Sequence, residues 1–127
     1  MDYRIEKKAY IDIDGIKDII EEILCHIRGI INENVFFNTK LILYELTING
    51  ILHGNHENVN KGICINLTIN KSCIIIEVID EGSGITYKHK SFGDYDLCES
   101  GRGLMLVEGL SDKFEIEGNR IKCVQYL

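Results

Sequence analysis

The chain has 127 residues, of which 45% are hydrophobic and 27% are charged, values typical of a globular domain with its own core. The 14 Lys and Arg residues against 20 Asp and Glu residues give a formal net charge of -6, which argues against direct binding to nucleic-acid phosphates. No stretch is apolar enough to span a membrane, and residues 1–10 lack the apolar core of a secretory signal. We therefore expect one cytoplasmic domain over residues 1–127, with no membrane partner.

Disulfide and zinc chemistry are both disfavoured by the spacing of the residues that would supply it. The five cysteines are scattered singly at Cys25, Cys64, Cys73, Cys98 and Cys123. An odd count without a CxxC pair does not suit a disulfide framework, so we expect reduced and mostly buried thiols. His53 and His56 form an HxxH pair, but no separate Cys or His cluster supplies the further ligands that zinc needs.

The chain begins with an alternating segment and an amphipathic one. Residues 2–13 alternate between apolar and charged side chains, which predicts a half-exposed strand. From Asp14, a candidate N-cap, isoleucines and leucines recur every three or four residues as far as Ile31. This spacing predicts a helix over residues 14–31 that covers a core.

A second helix is predicted over residues 41–55, with Asn38 or Thr39 as its N-cap and its end near residues 54–55. Glu45, Asn49 and His53 recur every four residues, so an α-helix places them on one side. Apolar residues fill most of the remaining circumference, so this polar stripe is not a solvated face. A fully hydrogen-bonded structural network and a functional site are both compatible with the pattern.

Two strands are predicted after a polar loop at residues 55–62. Residues 63–69 and 73–80 are separated by a three-residue connection, which suits an antiparallel hairpin. The second strand reads CIIIEVID and is apolar on both faces as far as Glu77, which predicts a central position in the sheet.

The last third of the chain is predicted to contain a loop, a helix and a hairpin. Residues 87–100 have little periodicity and predict a mobile loop. Gly101-Arg102-Gly103 opens a short helix, and residues 114–117 and 121–126 pair around Gly118-Asn119. The resulting order of elements predicts an α+β fold with helices on one face of an antiparallel or mixed sheet.

Two glycine-containing segments are candidate ligand sites. Asp80 ends a buried strand, where its carboxylate needs a hydrogen-bond donor such as the exocyclic amine of a purine, and Gly82 and Gly84 permit close approach of a flat base. A tight turn stabilised by Asp80 itself is the structural alternative. Gly101-Arg102-Gly103 at a helix start suits a phosphate, although a flexible helix entry has the same sequence.

The three segments together, in this order, resemble the N, G1 and G2 boxes of the histidine-kinase-like ATPase superfamily. YELTINGILHGNHEN is similar to the N box of the small anti-sigma-factor serine/threonine kinases, and DEGSGI and GRGLMLVEGLSD are similar to their G1 and G2 segments. The resemblance covers nearly the whole chain, because that family also begins with a strand and a helix. It implies a two-layer α/β sandwich of the Bergerat type.

The resemblance also implies roles for individual residues. Asn49 would coordinate Mg²⁺, with His53 beside it at the cofactor, and Asp80 would bind the adenine amine of ATP. Gly82 and Gly84 would shape the adenine pocket, whereas Gly101, Arg102 and Gly103 would lie at the phosphates under a lid formed by residues 87–100. Glu45 would be the general base. The sequence departs from the family in having no proline in the lid region and Cys123 nearest to a position that often carries threonine.

The function that the resemblance implies is ATP-dependent serine/threonine phosphorylation of an antagonist protein, with a sigma factor as a second candidate partner and a further copy of the chain as a third. One alternative is a regulatory module that binds ATP without transferring phosphate, or does not use ATP. The other is a detached catalytic domain that serves a partner with a phosphoacceptor histidine.

Overall fold

The computed structural model describes residues 3–10, 13–55, 60–82 and 99–127; the side chains of Ile13, His53, Gly54 and residues 99–102 are outside that description. The described elements are β1 (Tyr3–Ala9), α1 (Ile16–Ile27), α2 (Glu33–Asn49), β2 (Ile63–Ile69), β3 (Cys73–Ile79), α3 (Glu99–Leu110), β4 (Lys113–Glu117) and β5 (Arg120–Tyr126). This order confirms the predicted sequence of strands and helices.

Helix α1 is shorter at both ends than its periodicity predicts. Asp14 lies within a 3₁₀ turn at Ile13–Gly15, and Gly15 occupies the N-cap position without a side-chain hydrogen bond, so Asp14 is not the cap. The helix ends at Ile27 because Arg28 is extended and Gly29 has a φ of 89°. Such a positive φ favours glycine and reverses the chain direction. The prediction that the helix extends to residue 31 was therefore wrong.

Helix α2 begins at Glu33, five residues before Asn38 and six before Thr39, the two predicted caps. Asn32 is the N-cap, and its side-chain oxygen accepts a hydrogen bond of 2.9 Å from the backbone N–H of Val35. Thr39, a predicted cap, is instead fully buried in the helix interior, where its hydroxyl accepts a 3.0 Å hydrogen bond from Gln125 Nε2 on β5. A π-helical turn at Gly50–Gly54 follows α2, so the helical segment ends where the sequence predicts.

The sheet has the strand order β1-β2-β3-β5-β4, and every pairing between the described strands is antiparallel. Strand β3 is central, as predicted from its apolar faces, and both predicted hairpins form. The register pairs Ile76 with Leu67 on one side and with Cys123 on the other. Because β3 is the middle strand of this order, its C-terminal end lies at the centre of one end of the sheet.

One face of the sheet is buried under the helices. The inward residues of β2 and β3 are buried at alternate positions, as period-2 side-chain alternation requires. They form one core with the apolar residues of the three helices, including Ile20, Ile23, Ile42, Leu43, Leu46, Leu104 and Val107. This arrangement confirms the two-layer α/β sandwich with helices on one face.

Candidate functional site

The end of α2 approaches the end of β3 closely because residue 50 is a glycine. A Cβ placed on Gly50 would lie 2.8 Å from Ile63 Cδ1, 3.6 Å from the Cβ of Asp80 and 3.8 Å from Val78 Cγ1. Gly50, the residue after Asn49, therefore lies close to Asp80, which directly follows β3. This close approach brings the first two predicted motifs, at Asn49 and at Asp80, to the same end of the sheet.

The start of α3 lies against α2 at a second glycine. A Cβ on Gly103 would overlap Glu45 Oε2, so the carboxylate of Glu45 lies directly against the backbone of α3. Both residues are half-buried. Glu45 and Asn49 lie one turn apart on the same side of α2. The contact at Gly103 therefore brings the third predicted motif, Gly101-Arg102-Gly103, to the side of α2 that carries Asn49.

Asn49 is a buried amide with an unused hydrogen-bonding group. Its side chain is 8% exposed, and its Nδ2 has no hydrogen-bond partner among the described residues. An unpaired buried polar group is unusual in a folded protein and calls for an explanation such as a bound ligand. Within the described ranges, a purely structural hydrogen-bond network at Glu45 and Asn49 is therefore incomplete at Asn49.

Asp80 is 2% exposed and is held by the backbone around it. Its Oδ1 accepts a 2.7 Å hydrogen bond from the N–H of Gly82, which is the Asx turn that its sequence context predicts. Its own N–H donates to the carbonyl of Asn119 at 3.1 Å, and its carbonyl accepts from Asn119 Nδ2. The turn between β4 and β5 therefore fixes the backbone of Asp80.

Asn55, at the start of the segment predicted as a polar loop, is buried. Its Oδ1 accepts a 2.8 Å hydrogen bond from the N–H of Glu81, and its Nδ2 donates to the carbonyls of Gly62 at 3.1 Å and Lys61 at 3.4 Å. Its backbone N–H closes the π-helical turn by donating to the carbonyl of Gly50 at 2.7 Å. Asn55 thus joins α2, the start of β2 and the turn after β3.

A π-helical turn contains one of the predicted site residues. His53 lies within Gly50–Gly54, where backbone hydrogen bonds span five residues. The side chain of His53 is outside the described part of the chain. Short π-helical segments occur frequently at functional sites.

The third motif lies within α3 and not in front of it. The helix begins at Glu99, so Gly101 is its third residue, and Gly101, Arg102 and Gly103 belong to its first turns. Glycine is unfavourable in the middle of a helix but tolerated at its start, so the sequence predicted that the helix begins at Gly101 instead of Glu99. The side chain of Arg102 is not described, and Gly84 and residues 87–98 of the predicted lid at 87–100 also lie outside the described residues.

Cys123, the nearest residue to the position of the family threonine, lies on the buried face of β5. Burial raises the pKa of its thiol to about 12, and a hydrogen bond with Ser111 offsets part of that effect. The residue is fully buried and pairs with Ile76 across the sheet. A thiol with such a raised pKa stays protonated at neutral pH and behaves as a small apolar side chain.

Two further findings concern metals and membranes. No group of three or more His, Cys, Asp or Glu side chains comes together in the parts of the chain that the structure describes. None of the helices within the described ranges is both long enough and apolar enough to cross a bilayer.

Comparison with known proteins identifies the family. The model of the histidine kinase-like ATPase domain matches residues 12–125. An anti-sigma F factor of Clostridium acetobutylicum is 31% identical over 90 residues, which cover 67% of this chain and 62% of the relative. The anti-sigma F factors of Bacillus velezensis and Bacillus subtilis are each 26% identical over 98 residues, which cover 69% of this chain and 67% of each relative. The match thus spans less than two thirds of the C. acetobutylicum protein. The domain model covers most of this chain, and the chain therefore belongs to the histidine kinase-like ATPase family.

Proposed function

We propose that the protein is an ATP-dependent serine/threonine kinase of the anti-sigma-factor type, which acts in the cytoplasm, phosphorylates an antagonist protein and binds a sigma factor. The family supports the use of ATP. The printed name of the relatives, anti-sigma F factor, supports a sigma factor as partner. The observation that carries the proposal is the convergence of Glu45, Asn49, Asp80 and Gly103 through the close approaches at Gly50 and Gly103.

In this proposal the adenine of ATP binds at the turn after β3. The Asp80 carboxylate accepts a hydrogen bond from the exocyclic amine of adenine, and Gly82 and Gly84 leave room for the flat base. A buried carboxylate is costly unless donors surround it, and the Gly82 N–H already supplies one. A ligand amine would be a further donor to this carboxylate.

The phosphates bind in this proposal at the start of α3, where Gly101, Arg102 and Gly103 occupy its first turns. The first backbone N–H groups of a helix lack intrahelical acceptors, and the helix dipole favours negative charge there. The Arg102 guanidinium would add positive charge, and His53 would lie beside the cofactor.

The amide of Asn49 fits a magnesium ion that accompanies ATP. Its side chain is buried, and its Nδ2 has no partner among the described residues, so a phosphate oxygen of the nucleotide would accept a hydrogen bond from that group while the amide oxygen would serve as the ligand of the ion. Magnesium prefers oxygen ligands and keeps several waters, so one amide oxygen together with ATP phosphates suffices. When bound, the ion supplies charge neutralisation at the phosphates.

Glu45 is the proposed general base. The hydroxyl oxygen of a serine or threonine in the antagonist attacks the γ-phosphorus of ATP, the bond between that phosphorus and the bridging oxygen breaks, and ADP leaves. The Glu45 carboxylate accepts the hydroxyl proton. Its contact with Gly103 supports this role, because it holds the carboxylate beside the helix start that would bind the phosphates.

A transfer assay tests the proposal. The protein is incubated with magnesium, γ-labelled ATP and candidate antagonist proteins, and we expect acid-stable label on a serine or threonine. Glu45→Gln should keep its ATP affinity but lower the transfer rate by about 10²–10⁴-fold, because the amide cannot accept the proton. Glu33→Gln is the matched control, since Glu33 is an exposed carboxylate in the first turn of the same helix and should not affect the rate.

Two outcomes of that assay would contradict the kinase proposal. Acid-labile label would indicate a histidine acceptor and thus a detached catalytic domain. ATP binding without any transfer to the tested proteins would indicate a regulatory binding module.

A further inference from the structure

Resting on the proposed function, we propose that Asn55 and Asn119 are positioning residues that orient the Asp80 carboxylate and thereby set the preference of the site for a purine with an exocyclic amine. Neither asparagine is assigned a role by the sequence motifs. Both make hydrogen bonds with the turn at residues 80–82, although each lies in a distant segment of the chain.

Asn119 fixes the backbone of Asp80 itself. The N–H of Asp80 donates to the Asn119 carbonyl at 3.1 Å, and the Asp80 carbonyl accepts from Asn119 Nδ2. Gly118, with a φ of 61°, gives the turn before β5 the left-handed conformation that presents Asn119 toward Asp80. Both backbone polar groups of Asp80 therefore have the same residue as partner.

Asn55 fixes the residue that follows Asp80. Its Oδ1 accepts from the Glu81 N–H at 2.8 Å, while its Nδ2 is anchored on the Gly62 and Lys61 carbonyls. Asn55 is 2% exposed, so water cannot readily replace these bonds when the side chain is removed. The Glu81 carboxylate also accepts from the Gly62 N–H, which adds a second connection between the turn and the start of β2.

The direction of the Asp80 carboxylate depends on this turn. Its Oδ1 is tied to the Gly82 N–H at 2.7 Å, so a shift of residues 81–82 moves the carboxylate. Hydrogen bonds weaken steeply when donor and acceptor are misaligned. A loosened turn should therefore weaken the hydrogen bond to the base amine while leaving the distant phosphate contacts in place.

The experiment compares two nucleotides that differ in that amine. Dissociation constants for ATP and for purine riboside triphosphate, which lacks the 6-amino group, are measured with magnesium for the wild type, Asn55→Ala, Asn119→Ala and Asn119→Asp. Thermal unfolding confirms that each variant is folded. Asn119 is half-buried in a turn, so its variants keep the test informative if Asn55→Ala does not fold.

Asn70→Ala is the matched control at the opposite end of β3. The Asn70 side chain accepts backbone hydrogen bonds from Ser72 at 2.8 Å and from Cys73 at 2.9 Å, so its loss also removes turn-stabilising bonds. We expect the wild type and Asn70→Ala to prefer ATP by on the order of 10-fold or more, the worth of a hydrogen bond to a charged group. In the Asn55 and Asn119 variants that preference should fall by roughly 3-fold to 10-fold.

Three results would overturn the inference, and they are distinguishable. A preference retained in the Asn55 and Asn119 variants but lost in Asp80→Asn would leave the proposed adenine contact intact and remove the positioning role. Equal losses of affinity for both nucleotides, with the preference unchanged, would reduce the asparagines to structural residues. A wild type without any preference for ATP would contradict the adenine contact itself.

Discussion

Two threonines of α2 are fully buried, but only one of them has a hydrogen-bond partner among the described residues. Thr39 accepts from Gln125 Nε2 at 3.0 Å, whereas Thr47 Oγ1 has no partner within the described ranges. Burial of a polar group costs free energy when it is not hydrogen-bonded. The same substitution should therefore lower the free energy of unfolding at Thr39 but not at Thr47.

Thr47→Val should leave the free energy of unfolding unchanged or raise it by about 1 kcal/mol, because it removes an unpaired hydroxyl and keeps the β-branched shape. Thr39→Val should lower the free energy of unfolding by about 1–3 kcal/mol, because Gln125 loses its buried acceptor. Urea denaturation of the two variants measures both values. A loss at Thr47→Val as large as that at Thr39→Val would mean that the Thr47 hydroxyl has a partner.

The residues with recognisable chemistry could be predicted from the sequence, but the residues that support them could not. Glu45, Asn49 and Asp80 are polar groups in apolar surroundings, which is a local signal. Asn55 and Asn119 read as ordinary loop and turn residues. Their partners at the Asp80 turn are 26 and 39 residues away, so no local pattern reveals that Asn55 is buried.

At the scale of secondary-structure elements, the sequence pattern located the described α-helices and strands but misplaced both ends of α1 and the start of α2. The isoleucine period continues past Ile27, yet Gly29 ends α1 because its positive φ outweighs the pattern. Asn32, which directly follows the last isoleucine of that period, is the N-cap of α2. Capping depends on backbone geometry, which hydrophobic spacing does not encode.

The packing of α3 on α2 makes a prediction about two glycines in the same helix. Gly103→Ala should raise the free energy of unfolding by up to about 1 kcal/mol, because alanine favours helix more than glycine does. Its Cβ would displace the flexible Glu45 carboxylate, so we expect phosphoryl transfer to fall by on the order of 10-fold to 10²-fold. Thermal unfolding and the transfer assay measure the two effects.

Gly109→Ala is the matched control for this prediction. A Cβ there would meet no atom within 4 Å, so the stability gain should appear without loss of transfer. If Gly103→Ala transfers phosphate at the wild-type rate, the contact between Glu45 and α3 has no part in catalysis. Equal losses in both variants would indicate a general effect of stiffening α3.

At the scale of the whole molecule, the two-layer arrangement was predictable from the resemblance, and the central place of β3 from its two apolar faces. The insertion of β5 between β3 and β4 was not predicted, because local pattern does not specify which hairpin strand joins the central strand. That order has a consequence for the site. It brings the β4–β5 turn, and with it Asn119, to the end of β3 where Asp80 lies.

The central claim is that the end of α2, the turn after β3 and the start of α3 form one magnesium-ATP site. Calorimetric titration with ATP tests this claim most directly. We expect the wild type to bind ATP and Asp80→Asn to bind it on the order of 10-fold or more weakly, because the amide loses the charge-assisted hydrogen bond to the base. Asp18→Asn, the same change on the exposed surface of α1, should bind as the wild type does. Equal ATP affinity in Asp80→Asn and the wild type, with both folded, would contradict the claim.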